Sequence, residues 1–89
     1  MRKTLTRQDA FLIALGEAIH DRRLHLGMSQ QELADLAGVH RTYVSDIERG
    51  ARNLTVTTVS RIAFSLDITP SRLFRLADDL VDALPEGDS

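Results

Sequence analysis

Four polar residues near the middle of the chain have the types needed for recognition by hydrogen bonding: Arg41, Thr42, Ser45 and Asp46. On a helix, residues at this spacing share one face, because each turn takes about 3.6 residues. A guanidinium can donate two parallel hydrogen bonds, a hydroxyl can donate or accept, and an ionised carboxylate accepts. The pattern therefore indicates a donor-rich binding face on one helix.

The residues before this face predict two short helices joined by a tight turn. Ser29 and Glu32 have the spacing of a capping box, so a helix begins directly after the serine and covers about 30–37. Gly38 suits the left-handed conformation that ends a helix, since glycine adopts it without steric cost. The second helix then covers about 41–49 and carries the polar face.

Apolar residues at helical spacing give each of these two helices a buried side. Ala34 is small, which lets the second helix cross the first at close range. The residues expected to face the core are Leu33, Ala34, Leu36 and Ala37 on the first helix, and Val44 and Ile47 on the second.

Two stretches, SQQELA at 29–34 and VSDIERG at 44–50, resemble the phage-repressor and Cro type of helix-turn-helix, the XRE family. The resemblance covers roughly residues 15–74. It implies an all-α fold, a compact five-helix lambda-repressor-like domain, whose second helix of the pair enters the major groove of DNA. The stretch at 39–50 is also similar to controller proteins of restriction-modification systems. Cro-like phage repressors and antitoxins share this architecture, so the subtype stays open.

By this resemblance, the polar face of the second helix contacts bases. Arg41 can bind the O6 and N7 atoms of guanine, Thr42 can touch a thymine methyl group, and Asp46 can accept from cytosine or orient an arginine instead. For Tyr43, packing against a neighbouring helix is the alternative to a DNA contact. The candidates for base contacts are Arg41, Thr42, Ser45 and Asp46, and those for backbone contacts are Ser29, Gln30, His40, Tyr43, Arg49, Arg52 and Asn53.

One pair of charged residues is expected to have a structural role. In the family, the glutamate that matches Glu48 pairs with an arginine near the end of the first helix, which is Arg23 here. Such a partly buried pair would fix the DNA-reading helix against the first helix. Removing one partner would then cost more than the loss of a surface pair, because the other charge would stay buried.

The chain is expected to consist of a basic arm at 1–5, a single domain at 6–84 and an acidic tail at 85–89. All eleven basic residues lie within 1–76, against eight acidic residues, which gives this part a charge of +3. The five acidic residues from 77 onward lower the net charge of the chain to −2. Because DNA responds to the local field, this total does not exclude a nucleic-acid partner.

Three further helices are expected around the central pair. The first begins after Thr6 and ends at Leu26, and the fourth covers about 55–66. The fifth covers about 70–84, since Pro70 suits a first helical position. Their expected core-facing residues are Phe11, Leu15, Ala18, Ile19 and Leu26 on the first, Val56, Val59, Ile62, Ala63 and Leu66 on the fourth, and Leu73, Phe74, Leu76, Ala77, Leu80, Val81 and Leu84 on the fifth.

Useful specificity needs two half-sites about one turn of DNA apart, which predicts a homodimer on a pseudo-palindromic operator. On the first helix, Ile13, Gly16 and His20 lie nearly opposite the core stripe. One alternative to a dimer is that the fifth helix folds back over Ile13 and Gly16 of its own chain. The candidates for the dimer interface are apolar residues that lie off a core stripe or extend the fifth helix, namely Phe64, Leu80, Val81, Leu84 and Ile13.

Other functional classes lack support in the sequence. There is no cysteine, no signal-peptide core and no apolar run of membrane-spanning length, so a cytoplasmic protein, nucleoid-associated when bound to DNA, is expected. The three histidines do not have the spacing of metal ligands and no nucleophile is paired with a base, so neither an enzyme nor a cofactor is expected. A protein-interaction module of the same fold, antitoxin-like or partner-dependent, is the alternative function. RNA polymerase or another regulator is a further candidate partner.

Overall fold

The computed structural model describes residues 5–83, and these residues form five α-helices without a β-strand. The five-helix, all-α fold expected from the sequence is confirmed. Most of the expected arm, Leu84 and the acidic tail lie outside the described residues. The helices are α1 (Arg7–His25), α2 (Gln30–Ala37), α3 (Arg41–Glu48), α4 (Val56–Ser65) and α5 (Pro70–Ala83).

Side-chain caps set where the helices begin. The Ser29 hydroxyl accepts a hydrogen bond from the Glu32 amide at 3.0 Å, and the Glu32 carboxylate accepts from the Ser29 amide at 3.0 Å. Thr6 and Asp9 form the same reciprocal pair before α1, and Thr55 caps α4 through its side chain. These bonds satisfy amides that have no partner inside the helix, which confirms the helix starts expected from the sequence.

The turn between α2 and α3 depends on Gly38. This glycine has a φ of +72°, which side chains with a Cβ atom rarely adopt, and α2 ends there. The following amide, of Val39, donates back to the Ala34 carbonyl at 3.0 Å. The turn therefore sends the chain directly into α3 and sets the angle between the two helices of the motif.

One apolar core joins the five helices. α1 runs along α5, where the rings of Phe11 and Phe74 meet edge to face with centroids 5.5 Å apart, and α2 packs against both α3 and α4. No helix within 5–83 is both long enough and apolar enough to cross a lipid bilayer. The largest fully enclosed side chains are Ile19, Leu33, Val44, Ile62, Leu66 and Leu73.

Four residues that helical spacing placed toward the core are exposed instead: Leu26, Leu36, Val56 and Phe74. Leu36 lies at the edge of the buried stripe of α2, beyond the reach of the helices that cover that stripe. Val56 is 85% exposed because it is the first residue of α4, and Leu26 lies in the turn after α1. Periodicity predicted the buried side of each helix correctly. It did not predict how wide the buried stripe is or where along the helix that stripe ends.

Candidate nucleic-acid interface

The third helix is anchored on one side and open on the other. Val44 and Ile47 are buried in the core. Arg41 and Thr42 are exposed on the outer surface, while Ser45 is half-buried at its margin. The first turn of α3 therefore presents a guanidinium and a hydroxyl to solvent on a rigid support, as base recognition would require.

A close backbone approach places α3 against α1. A Cβ atom added to Gly16 would lie 2.2 Å from the Ile47 carbonyl oxygen and 2.9 Å from that of Glu48, so only glycine fits without displacing α3. The sequence placed Gly16 nearly opposite the core stripe, which implied that Gly16 lies away from the core. That expectation was wrong. Gly16 is buried, because α1 is covered by α3 as well as by α5.

Glu48 joins three helices at the end of α3. Its Oε2 accepts from Arg23 Nε at 2.7 Å, and its Oε1 accepts from Arg23 Nη2 at 3.1 Å and from Gln30 Nε2 at 3.0 Å. His20 Nδ1 also lies 3.0 Å from Oε1. Arg23 donates a further bond, from Nη1 to the Met28 carbonyl at 2.8 Å. The expected pair of Arg23 and Glu48 is therefore present, and it ties α1, α2 and α3 together.

The hydrogen bonds of this junction keep both partners charged. Burial raises the pKa of the Glu48 carboxyl, but hydrogen bonds from Arg23, Gln30 and His20 together outweigh it and leave that pKa below its ordinary value. The hydrogen bond to Glu48 is the main cause of a raised pKa at Arg23. A carboxylate and a guanidinium thus face each other at neutral pH. No buried side-chain nitrogen or oxygen within 5–83 lacks a hydrogen bond.

Gln30 links this junction to the outer face of α3. Its Nε2 donates to Glu48, and its Oε1 accepts a long hydrogen bond from Arg41 Nη1 at 3.4 Å. An amide group carries two donor hydrogens, so one remains for another acceptor. The glutamine expected at the DNA backbone is therefore also the residue that connects Glu48 to Arg41.

A second carboxylate, that of Asp46, lies at the other end of the exposed face. Its Oδ1 accepts from Arg49 Nη2, and its Oδ2 accepts from Arg52 Nε at 3.2 Å. The Arg52 guanidinium also lies over the Tyr43 ring, 5.0 Å from the ring centroid. The hydrogen bond from Arg52 is the main cause that holds the pKa of Asp46 below its ordinary value. We call these four residues the Asp46 cluster.

The remaining residues predicted at the DNA lie around α3. His40 directly precedes the helix and makes no side-chain capping bond, and Asn53 is exposed in the loop that follows. Tyr43 is half-buried against the core, in line with the packing alternative, while its ring also supports Arg52. The Ser29 hydroxyl is already engaged in the cap of α2.

His20 belongs to the Glu48 junction, and sequence reasoning missed it. The available signal was its position three residues before Arg23, which places both side chains on one side of α1. No group of three His, Asp or Glu side chains within 5–83 is placed to hold a metal ion. A surface groove of about 380 Å³ passes beside His20. The groove is lined by Ile13, Glu17, His20, Gln30, Ser45, Glu48 and Arg49.

The candidates for the dimer interface divide by exposure. Phe64 is exposed on α4, whereas Leu80 and Val81 are half-buried against the core of their own chain. Ile13 lies against the backbone of Gly50. The fifth helix does run along α1, but Gly16 is covered by α3, so the alternative expected from the sequence is wrong at that residue.

Comparison with known proteins places the chain in a family. The Helix-turn-helix family model matches residues 19–73. Control protein C.BamHI of Bacillus amyloliquefaciens is 39% identical over 62 residues, which cover 68% of this chain and 76% of that protein.

Solved structures of restriction-modification controller proteins share the fold. C.AhdI from Aeromonas hydrophila has a TM-score of 0.68 and 39% identity, covering 70% of this chain and 94% of its own. The C.Esp1396I tetramer in complex with its natural 35 base-pair operator has a TM-score of 0.73 and 32% identity, covering 80% of this chain and 93% of its own. The chain therefore belongs to the helix-turn-helix family, in its XRE-type branch.

Proposed function

We propose that this protein is a sequence-specific DNA-binding transcriptional regulator that places α3 in the major groove and binds a pseudo-palindromic operator as a homodimer. The observation that carries the proposal is the rigid mounting of α3. Its buried side is locked by Val44, Ile47 and the Glu48 junction, while Arg41 and Thr42 at its start are exposed. Residues 6–84 act as one domain in this proposal.

Arg41 is the main base reader. Its guanidinium has five N–H donors, of which Gln30 engages one, so a pair of donors remains for the O6 and N7 atoms of guanine. The contact with Gln30 also restricts the side chain before DNA arrives, which reduces the entropy lost on binding. Thr42 and Ser45 are the secondary readers beside it.

Contacts with the DNA backbone flank this reader. Gln30 lies at the start of α2, where unpaired amides and the helix dipole favour a phosphate. Arg49 and Arg52 supply positive charge beyond the other end of α3, and Ser29, His40, Tyr43 and Asn53 are the remaining backbone candidates. Such contacts fix the register of α3 on the duplex without encoding sequence.

The homodimer interface includes Phe64. This ring is 65% exposed, and a solved relative, the C.Esp1396I controller protein, forms a tetramer on its operator. Phe64→Asp is therefore expected to yield monomers in light scattering and to weaken operator binding. Leu36→Asp is the matched control, because Leu36 is 63% exposed on α2 and should leave the oligomer intact. If both variants remain oligomeric, the interface lies elsewhere, with Leu80, Val81, Leu84 and Ile13 as the next candidates.

The similarity to C.BamHI, C.AhdI and C.Esp1396I supports the controller-protein subtype. In this proposal the protein acts on DNA in the cytoplasm, and it regulates through binding alone, without catalysis or a cofactor. Occupancy of the operator by the dimer then follows from the concentration of the protein.

Selection from a library of genomic fragments at physiological salt tests the function. Folded protein should enrich an inverted repeat with half-site centres about 10 base pairs apart. Arg41→Ala should keep its helical content but lose discrimination at one base pair of each half-site. Arg72→Ala removes the same charge from an exposed site on α5 and should retain discrimination. An absence of enrichment would overturn the proposal in favour of a protein-interaction module.

A further inference from the structure

We infer that Asp46 is a positioning residue, which holds Arg49 and Arg52 in place for the DNA backbone and does not itself read a base. This inference rests on the proposed DNA-binding function and deepens it. The position of Asp46 on the outer face of α3 would otherwise favour a contact with the amino group of cytosine.

Both carboxylate oxygens of Asp46 are already engaged. Oδ1 accepts from Arg49 and Oδ2 accepts from Arg52, so each oxygen faces a guanidinium within the same chain. The side chain of Asp46 is only 19% exposed, against 65% for Arg49 and 49% for Arg52. The carboxylate therefore lies beneath the two cations, and an approaching DNA surface would meet the guanidinium groups first.

The two arginines keep donors free in this arrangement. Arg52 uses Nε for Asp46, which leaves the four hydrogens of its Nη atoms for other acceptors. Arg49 donates one Nη2 hydrogen, so four of its guanidinium hydrogens remain as well. Guanidinium groups with several free donors match phosphate oxygens in geometry and charge.

Tyr43 is a second restraint on Arg52, in addition to Asp46. The guanidinium carbon lies 5.0 Å from the centroid of the ring, and Tyr43 is itself half-buried against the core. An arginine that contacts a carboxylate through Nε and an aromatic ring through its flat side is more restricted before binding than a fully solvated one. The later contact with a phosphate then costs less entropy.

The place of the cluster along α3 separates it from the base reader. Arg41 is the first residue of the helix and Arg49 follows its last residue, so their backbones lie about 12 Å apart along the helix axis. Arg41 and the two arginines that Asp46 holds therefore lie at opposite ends of one short helix. Asp46 acts only on the backbone contacts at the C-terminal end.

The direction in which DNA affinity changes when Asp46 is removed tests the inference. Removing Asp46 raises the net charge of the protein by one, and this change alone would strengthen binding to a polyanion. If Asp46 positions the arginines, its removal weakens binding in spite of the added positive charge. A base reader would instead lose discrimination at one base pair.

The experiment measures the affinity of Asp46→Ala and Asp46→Asn for the operator selected by the wild-type protein, and for every single-base variant of that operator. Asp46→Ala is expected to weaken binding about tenfold, by a similar factor on all operator variants. That factor corresponds to the loss of one charge-assisted hydrogen bond to the DNA backbone. Asp46→Asn, which can still accept at one oxygen, should show a smaller loss. Asp35→Ala is the matched control, because it removes one exposed negative charge from α2 and should not weaken binding.

Three results would overturn the inference. Loss of preference at a single base pair in Asp46→Ala would make Asp46 a base reader. Binding as tight as, or tighter than, that of the wild type in both variants would remove the positioning role. In the free protein, NMR should show a distinct, slowly exchanging Arg52 Nε–H resonance that Asp46→Ala abolishes. A wild-type resonance that is already averaged with solvent would contradict the inference without any DNA.

These readouts separate the two proposals. If wild-type protein selects no operator, the proposed function fails, and the Arg52 resonance still decides whether Asp46 orders the arginines. If wild-type protein selects an operator and Asp46→Ala behaves as a base reader, only the inference fails. Circular dichroism of each variant confirms that it is folded, and Asp46→Asn serves where Asp46→Ala is not.

Discussion

Asp46 and Glu48 are two carboxylates two residues apart on the same helix, and both bind arginine, but their surroundings differ. The side chain of Glu48 is 5% exposed and that of its partner Arg23 is 8% exposed, whereas the partners of Asp46 are largely open to solvent. Residues two apart on a helix point to nearly opposite sides. One side of α3 therefore uses its ion pair to fix the helix in the domain, and the other uses its ion pairs to shape a surface.

The comparison teaches that burial, and not the pairing itself, decides what an ion pair does. Charges removed from water are costly when unpaired, so the Glu48 junction is expected to control stability. Charges at the surface interact weakly and are screened by salt, so the Asp46 cluster is expected to control binding with little effect on folding.

Loss of one partner in the Glu48 junction should have the largest effect. Glu48→Ala leaves the Arg23 guanidinium buried without its carboxylate, and we expect the free energy of unfolding to fall by about 3 kcal/mol. Urea denaturation followed by circular dichroism measures this change. The double variant Arg23→Leu with Glu48→Leu should be more stable than the single variant, because neither charge remains buried. A single-variant loss no larger than that of Asp46→Ala would refute the proposed division.

A side chain added at Gly16, where α1 and α3 are in backbone contact, should have the next largest effect. In Gly16→Ala, the new methyl group would collide with the carbonyls of Ile47 and Glu48, and we expect a loss of about 2 kcal/mol in unfolding free energy. The control is Gly27→Ala, which has no neighbouring atom within 4 Å of the new carbon and only a positive φ of +68°. Its cost should be about 1 kcal/mol. Equal losses in the two variants would mean that α1 and α3 can separate freely.

Acid should weaken the buried pair selectively. The pKa of Glu48 is lower in the folded protein than its ordinary value of 4.5, so the stability it contributes is complete above that value and is lost as the pH falls through the folded pKa. Unfolding free energies measured from about pH 7 to pH 3 should therefore decline below about pH 4.5, and Glu48→Gln should flatten that decline. Asp46→Asn should change it much less, since its partners are exposed. A decline that Glu48→Gln leaves unaltered would argue against this assignment.

The smallest effect on stability is expected at Asp46. Asp46→Asn removes surface ion pairs only, so the midpoint of thermal unfolding should stay close to that of the wild type. Differential scanning calorimetry at low and at high salt measures it, and the small difference should shrink further as salt screens the pairs. A large drop in the midpoint would show that the Asp46 cluster, too, holds the fold together.

Some parts of the site could be predicted from sequence because their causes are local. The capping box of Ser29 and Glu32 and the turn at Gly38 depend on atoms a few residues apart, and both were predicted correctly. The pairing of Arg23 with Glu48 spans 25 residues and followed only from the resemblance to a family. The place of His20 in that junction was not predicted, since its spacing from Arg23 indicates only a shared side of α1 and not that α3 brings Glu48 to it.

Local sequence patterns specify the five helices, their starts and the side of each that meets the core, because capping and periodicity act within a few residues along the chain. Tertiary packing, by contrast, determines that Gly16 lies under α3, that Leu36 stays exposed, and that His20 meets Glu48. Those outcomes depend on which helices close over which face. That choice is set by the packing of distant segments, which no local pattern records.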